Sequence, residues 1–141
     1  MPYGVPEALQ DIIKAEEGYV AATGTLRFDE SKLPKVNWDR QEHVPPITNI
    51  RAQLKGMALT KSGFTHPINA PVAFEVNCYG PWCAGAASGK KVLAFLKQTG
   101  NGYVLTTNPC GGHVFYEPSK ETLESVVQCY TKGRCPKTQN R

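Results

Sequence analysis

From Gly18 onward the chain alternates. Val20, Ala22, Leu26 and Phe28 fall on one side, while Tyr19, Ala21, Thr23 and Arg27 fall on the other. A period of two marks a strand with one buried face. Gly24 inside this run predicts a bend or bulge where the strand curves around a small barrel. Ile50, Ala52 and Leu54 alternate with Arg51, Gln53 and Lys55, a second strand expected to end at Gly56. Pro71 to Cys78 is a third, with Val72, Phe74, Val76 and Cys78 on one face. Lys91-Val92-Leu93-Ala94-Phe95-Leu96 is apolar almost throughout and reads as a more deeply buried strand. Gly102 to Thr107 follows after a turn at Gly100-Asn101-Gly102.

Two segments carry helical signals instead. Pro6 to Ala15 has proline suited to a first turn, an early Glu7 and a narrow apolar face of Leu9, Ile12 and Ile13. Ser119 to Tyr130 begins with a capping hydroxyl, has Glu121 and Glu124 in its early turns, and is stopped by Gly133. Leu123, Val126, Val127 and Tyr130 are its expected packing face. Five strands, irregular links and no alternating long helices exclude a doubly wound parallel sheet. They predict a mainly β fold, a small closed or partly open barrel with a short N-terminal helix and a C-terminal helix packed on it.

Residues 29–49 are polar and proline-rich, a long connection for a compact domain. Trp38 and His43 stand out there. They mark either a binding surface or an ordered loop packed by the tryptophan. At 141 residues the whole chain, 1–141, is expected to be one domain. Its apolar share is ordinary and its formal charge of +4 is modest, with Lys132, Arg134, Lys137 and Arg141 supplying much of it near the end. No apolar run is long enough to span a bilayer, and Met1-Pro2-Tyr3 does not open a signal peptide. An extracellular or periplasmic protein would therefore have lost its leader ahead of this start.

All five cysteines lie in the second half: Cys78, Cys83, Cys110, Cys129 and Cys135. In an oxidising compartment they allow two bridges and one remaining thiol. A Cys78–Cys110 bridge would close a loop of about thirty residues, worth roughly 3–4 kcal/mol in the loop-entropy model. Cys83 has Cys129 or Cys135 as possible partners, and Cys129–Cys135 across a turn is also sterically possible; spacing does not choose among them. A competing reading assigns Cys78, Cys83, Cys110 and His113 to a structural zinc ion, because a closed cysteine/histidine tetrahedron is the usual form of such sites. Cys129 and Cys135 weigh against it, since zinc leaves them without a role. Thiol redox catalysis fits worse: the first pair is separated by four residues rather than two.

Other chemistry finds little support in the residues. Gly85 to Lys91 resembles a phosphate loop only superficially, lacking the full pattern and the following helix. His43, His66 and His113 have no adjacent nucleophile or carboxylate that would make a general base of any of them. Glu75 reads as a solvent-side carboxylate. Lys90, Lys91, Lys97 and Tyr103, with Tyr79 and Trp82 as stacking platforms, outline a single-strand nucleic-acid reading, but the charge balance is too mild to favour it. No enzyme and no cofactor is expected.

Leu54-Lys55-Gly56, Cys78-Tyr79-Gly80, the strand Val92 to Leu96, Tyr103 to Cys110 and the helix leading to Cys129 occur in an order that resembles the netrin-like superfamily. The likeness is greatest to the N-terminal domain of tissue inhibitors of metalloproteinases and its bacterial relatives, and covers roughly residues 11–135. The resemblance implies a five-stranded OB-like barrel with flanking helices, usually in secreted or cell-surface proteins. In those inhibitors an N-terminal Cys-x-Cys segment chelates the protease zinc, and barrel cysteines that Cys78 and Cys110 resemble bridge back to it. Here no cysteine precedes Cys78, so the chelating group is missing, and the resemblance then implies that the two bond each other. The expected function is a non-catalytic secreted or periplasmic domain that binds a protein or surface ligand. Its candidate contact residues are Trp38, His43, Tyr79 and Trp82. A metalloproteinase inhibitor with a non-standard contact surface is an alternative within the same resemblance.

Overall fold

The computed structural model describes residues 4–14, 18–36, 39 and 44–133. Trp38, His43 and Cys135 lie outside the described residues. The fold is mainly β with two helices. In order these are α1 (Val5–Lys14), β1 (Tyr19–Phe28), a 3-10 turn (Glu30–Lys32), β2 (Ile47–Thr60), β3 (Gly63–Tyr79), β4 (Trp82–Cys83), β5 (Lys90–Thr99), β6 (Gly102–Asn108), β7 (Gly111–Gly112), β8 (Val114–Tyr116) and α2 (Lys120–Lys132).

The principal strands close a ring of hydrogen bonds. β1 pairs antiparallel with β2, β2 with β3, β5 with β6, and β5 with β1. The ring is completed by a parallel pairing of β3 with β6, Val72 to Val76 against Tyr103 to Thr107. That closure leaves neither β3 nor β6 as a free edge over those residues.

The alternation seen in sequence becomes the inside and outside of this ring. Ala22, Leu26, Ile50, Ala52, Leu54, Val72, Phe74, Val76, Val92, Ala94, Leu96 and Leu105 form the inner core, with Val20 and Phe28 packed against it. A second cluster lies on the outer face of β1 and β5, where Leu93 and Phe95 meet Ala8 and Leu9 of α1 and Val126 and Cys129 of α2. This explains the unbroken run Val92 to Leu96. Alternate residues of β5 face the inner core and the helices, so both faces exclude water.

α2 begins and ends as its capping residues dictate. The Ser119 hydroxyl accepts from the Thr122 N–H, and Gly133 closes α2 in the left-handed region at φ 69°. Tyr130 departs from its expected packing role and is 56% exposed, while Cys129 takes the buried position. The hydrophobic stripe is therefore rotated toward Val126 and Cys129.

Strand lengths differ more. β2 does not end at Gly56 but continues to Thr60, and β3 begins at Gly63, so one long hairpin spans a region where no strand was expected. Gly24 forms no bulge: it sits in register opposite Gly56, and the irregularity lies in the β2–β3 pairing between Ala58 and Leu59. A Cβ on Gly24 would lie 2.7 Å from the Gly56 Cα and overlap the Lys55 carbonyl oxygen, so the two glycines permit a close backbone crossing.

Candidate binding site at the disulfide end

The end of β3 gathers most of the chemistry-bearing residues. Beyond Asn77 the chain makes a tight hairpin, in which Cys78 pairs with Cys83 and Tyr79 with Trp82 across a turn containing Gly80 at φ 60°. A Cys78–Cys83 disulfide clamps this hairpin. Its closed loop is short, so the cross-link contributes about 2 kcal/mol by the loop-entropy relation. Backbone bonds fix the base: the Cys78 N–H donates to the Pro46 carbonyl at 2.9 Å, and the Ala84 N–H to the Asn77 carbonyl at 3.1 Å.

Clamping leaves two large aromatics facing outward. Trp82 is 63% exposed and Tyr79 49%. Ile47, which lies opposite Asn77 on β2, is 52% exposed and adds an apolar residue at the same sheet end. Sequence alternation alone missed Ile47, because the proline pair before it obscures where β2 begins.

The neighbouring β6–β7 turn supplies polar groups. Asn108 Oδ1 accepts from the Cys110 N–H at 3.0 Å, and the chain then reverses so that Gly111 and Gly112 pair back on Asn108 and Thr107. Gly112 has φ 109°, and a Cβ there would sit 2.7 Å from the Thr107 Cα, so glycine is required. The Asn-Pro-Cys-Gly-Gly run is thus a reversal with Cys110 exposed near its tip.

Cys110 carries a free thiol, so the Cys78–Cys110 bridge is not formed. Cys83 joins Cys78 rather than Cys129 or Cys135. Cys129 is itself disulfide-bonded, with its other half outside the described residues. The zinc arrangement meets a direct obstacle, since two of its four proposed ligands, Cys78 and Cys83, are consumed by the disulfide. No group of three ligand-type side chains among the described residues is placed to hold a metal.

His113 and Cys110 nevertheless share a pocket of about 450 Å³ with Tyr79, Asp11, Thr106 and Asn108. The His113 backbone is fixed on both sides, donating to Thr106 and accepting from Phe95. Its ring stands edge-on to Tyr19, with centroids 5.5 Å apart. Burial among these rings holds the imidazole below the ordinary histidine range, and the Asp11 carboxylate partly offsets that shift. Asp11 enters from α1, a contribution that no local pattern announced. Glu75, expected to face solvent, is half-buried and accepts from the Thr106 hydroxyl at 3.2 Å.

The structure thus brings Tyr79, Trp82, Cys78, Cys83, Cys110 and His113 to neighbouring turns. Lys90 and Lys91 open β5, and Lys97 stands opposite Tyr19, whose ring meets His113. No family model, curated protein or solved structure matches the chain.

Proposed function

We propose that this chain is an exported netrin-like domain, an OB-like five-stranded barrel that binds a protein partner and performs no catalysis. The ring of strands around one apolar core, closed by the parallel β3–β6 pairing and carrying helices on one outer face, supports the barrel reading. Bound cysteines beside one free thiol suit an oxidising compartment, extracellular or periplasmic. No described helix is long and apolar enough to cross a membrane.

One observation carries the binding reading: Tyr79 and Trp82 project into solvent from a hairpin whose ends are covalently tied. Exposed aromatics cost stability in water and gain it when a partner covers them. A tied hairpin has little conformational freedom left to lose, so more of that gain appears as affinity. Ile47 extends the apolar centre, and the Cys110–His113 pocket supplies a polar rim. Truncating a central aromatic of such an interface costs about 2–4 kcal/mol.

A photocrosslinking amino acid at position 79, in protein exported by its source cells, tests this. A discrete protein adduct that disappears when Trp82→Ala is added is expected. The same residue at Lys61, in the β2–β3 turn, is expected to yield none. Equal adducts from both positions, or none from 79, would overturn the assignment.

A further inference from the structure

Asn101 and Gly102 form the tip of the hairpin between β5 and β6, where Thr99 pairs with Gly102. Both tip residues are exposed. The Thr99 hydroxyl ties the turn, donating to the Gly102 carbonyl at 3.1 Å and accepting from the Asn101 N–H at 3.3 Å. The Asn101 side-chain amide makes no hydrogen bond among the described residues. Gly102 has φ 131°, and a Cβ there would meet nothing within 4 Å, so the peptide faces open space.

We propose that Asn101-Gly102 is a site of spontaneous covalent modification, at which the folded protein converts Asn101 to aspartate and isoaspartate. Hydroxide removes the proton of the Gly102 backbone nitrogen, which attacks the Asn101 Cγ carbon. The new N–C bond closes a five-membered succinimide, the bond to the side-chain nitrogen breaks, and that nitrogen leaves as ammonia with a proton from water. Water then adds to one of the two ring carbonyls and opens the ring to aspartate or isoaspartate. Water and hydroxide balance every step.

Ring closure depends on access to the following nitrogen and on freedom of the asparagine side chain. Glycine supplies the access, having no Cβ to obstruct the approach. An exposed turn tip opens at low free-energy cost, which releases the nitrogen from hairpin pairing. The other asparagines among the described residues lack one condition or both. Asn108 precedes Pro109, whose nitrogen carries no proton, and its Oδ1 is held by the Cys110 N–H. Asn69 Oδ1 accepts from the Gln53 side-chain amide at 2.7 Å. Asn49 precedes β-branched Ile50 inside β2. Asn77 precedes Cys78, whose N–H is bound to the Pro46 carbonyl.

The two products differ in what they do to the fold. Gly102 adjoins Tyr103, which opens the parallel pairing with Val72 that closes the ring. Isoaspartate carries the main chain through the former side chain, adding a methylene to the short link between Thr99 and Gly102. Aspartate keeps that link and places a carboxylate in an open groove of about 550 Å³ that Arg27 and Arg51 also line. The isoaspartyl form should therefore melt below the unmodified protein, and the aspartyl form should not.

The test is incubation of the oxidised full chain at mildly alkaline pH in water enriched in heavy oxygen, followed by peptide mapping by mass spectrometry. Dichroism recorded throughout shows that the chain stays folded. Asn101 is expected to lose its amide at least tenfold faster than Asn49, Asn69 or Asn77, and faster again as hydroxide concentration rises. The product should hold one heavy oxygen and be a mixture, its isoaspartyl part labelled by an isoaspartyl methyltransferase. Asn101→Gln, which must close a six-membered ring, should slow the loss at this position at least tenfold. An Asn101 amide that survives as long as that of Asn69 would overturn the proposal. So would conversion to aspartate alone, the mark of direct hydrolysis.

Discussion

Alanine at Gly24 should destabilise the protein although it adds only a methyl group. The new Cβ would sit 2.7 Å from the Gly56 Cα, whereas carbon atoms in contact prefer about 3.5–4.0 Å. β1 and β2 must therefore part by about 1 Å at this point, stretching the ladder bonds on either side. β1 cannot relax the other way, because β5 is hydrogen-bonded to its opposite edge over the same residues. Overpacking of this kind costs about 1–3 kcal/mol, and weakened ladder bonds add about 1 kcal/mol. Reduced freedom of the unfolded chain returns about 0.4–1 kcal/mol. The net expectation is a loss of about 2–3 kcal/mol. For a chain of 141 residues that corresponds to a fall of roughly 7–10 °C in Tm. Urea unfolding of oxidised protein, followed by tryptophan fluorescence and far-ultraviolet dichroism, measures it. Gly56→Ala should behave similarly, and the double variant should cost less than the sum because one separation accommodates both methyls. A neutral or stabilising Gly24→Ala, or strictly additive losses, would refute the crossing.

Two further perturbations probe the disulfide end. His113 is held below the ordinary histidine range by burial, so the folded state resists protonation more than the unfolded chain does. Its contribution is present above the unfolded histidine pKa of about 6.5 and is lost as pH falls from there toward the folded value. His113→Phe should therefore flatten the stability profile measured between pH 7 and pH 5; an unchanged slope would remove His113 as its source. Cys78→Ala/Cys83→Ala should cost about 2 kcal/mol in urea unfolding and raise Trp82 mobility in fluorescence anisotropy. Unchanged anisotropy would mean that backbone bonds alone hold the hairpin.

The features legible along the chain are local ones. Period-two alternation identified the inner faces of β1, β2 and β3 because neighbouring side chains on a strand point oppositely. Ser119 and Gly133 marked the limits of α2 because capping depends on nearby backbone groups. The unbroken run Val92 to Leu96 signalled burial, and Tyr79 and Trp82 stood out as aromatics at a turn. Tertiary structure decided everything that joins distant segments. Whether Cys78 meets Cys83 or Cys110 depends on which cysteine the strand pairing sets beside it, and spacing carries no such information. The extension of β2 beyond Gly56 follows from its partner strand, not from its own weak pattern of Met57 to Thr60. Gly24 looked like a bulge because its close partner, Gly56, lies far along the chain. Asp11 came within range of His113, and Arg27 came beside Gln53, only when strand pairing and helix packing set their places. Side-chain periodicity is a property of the backbone at each residue, whereas register, ring closure and shared pockets are settled by contacts between segments, whose stability no single segment contains.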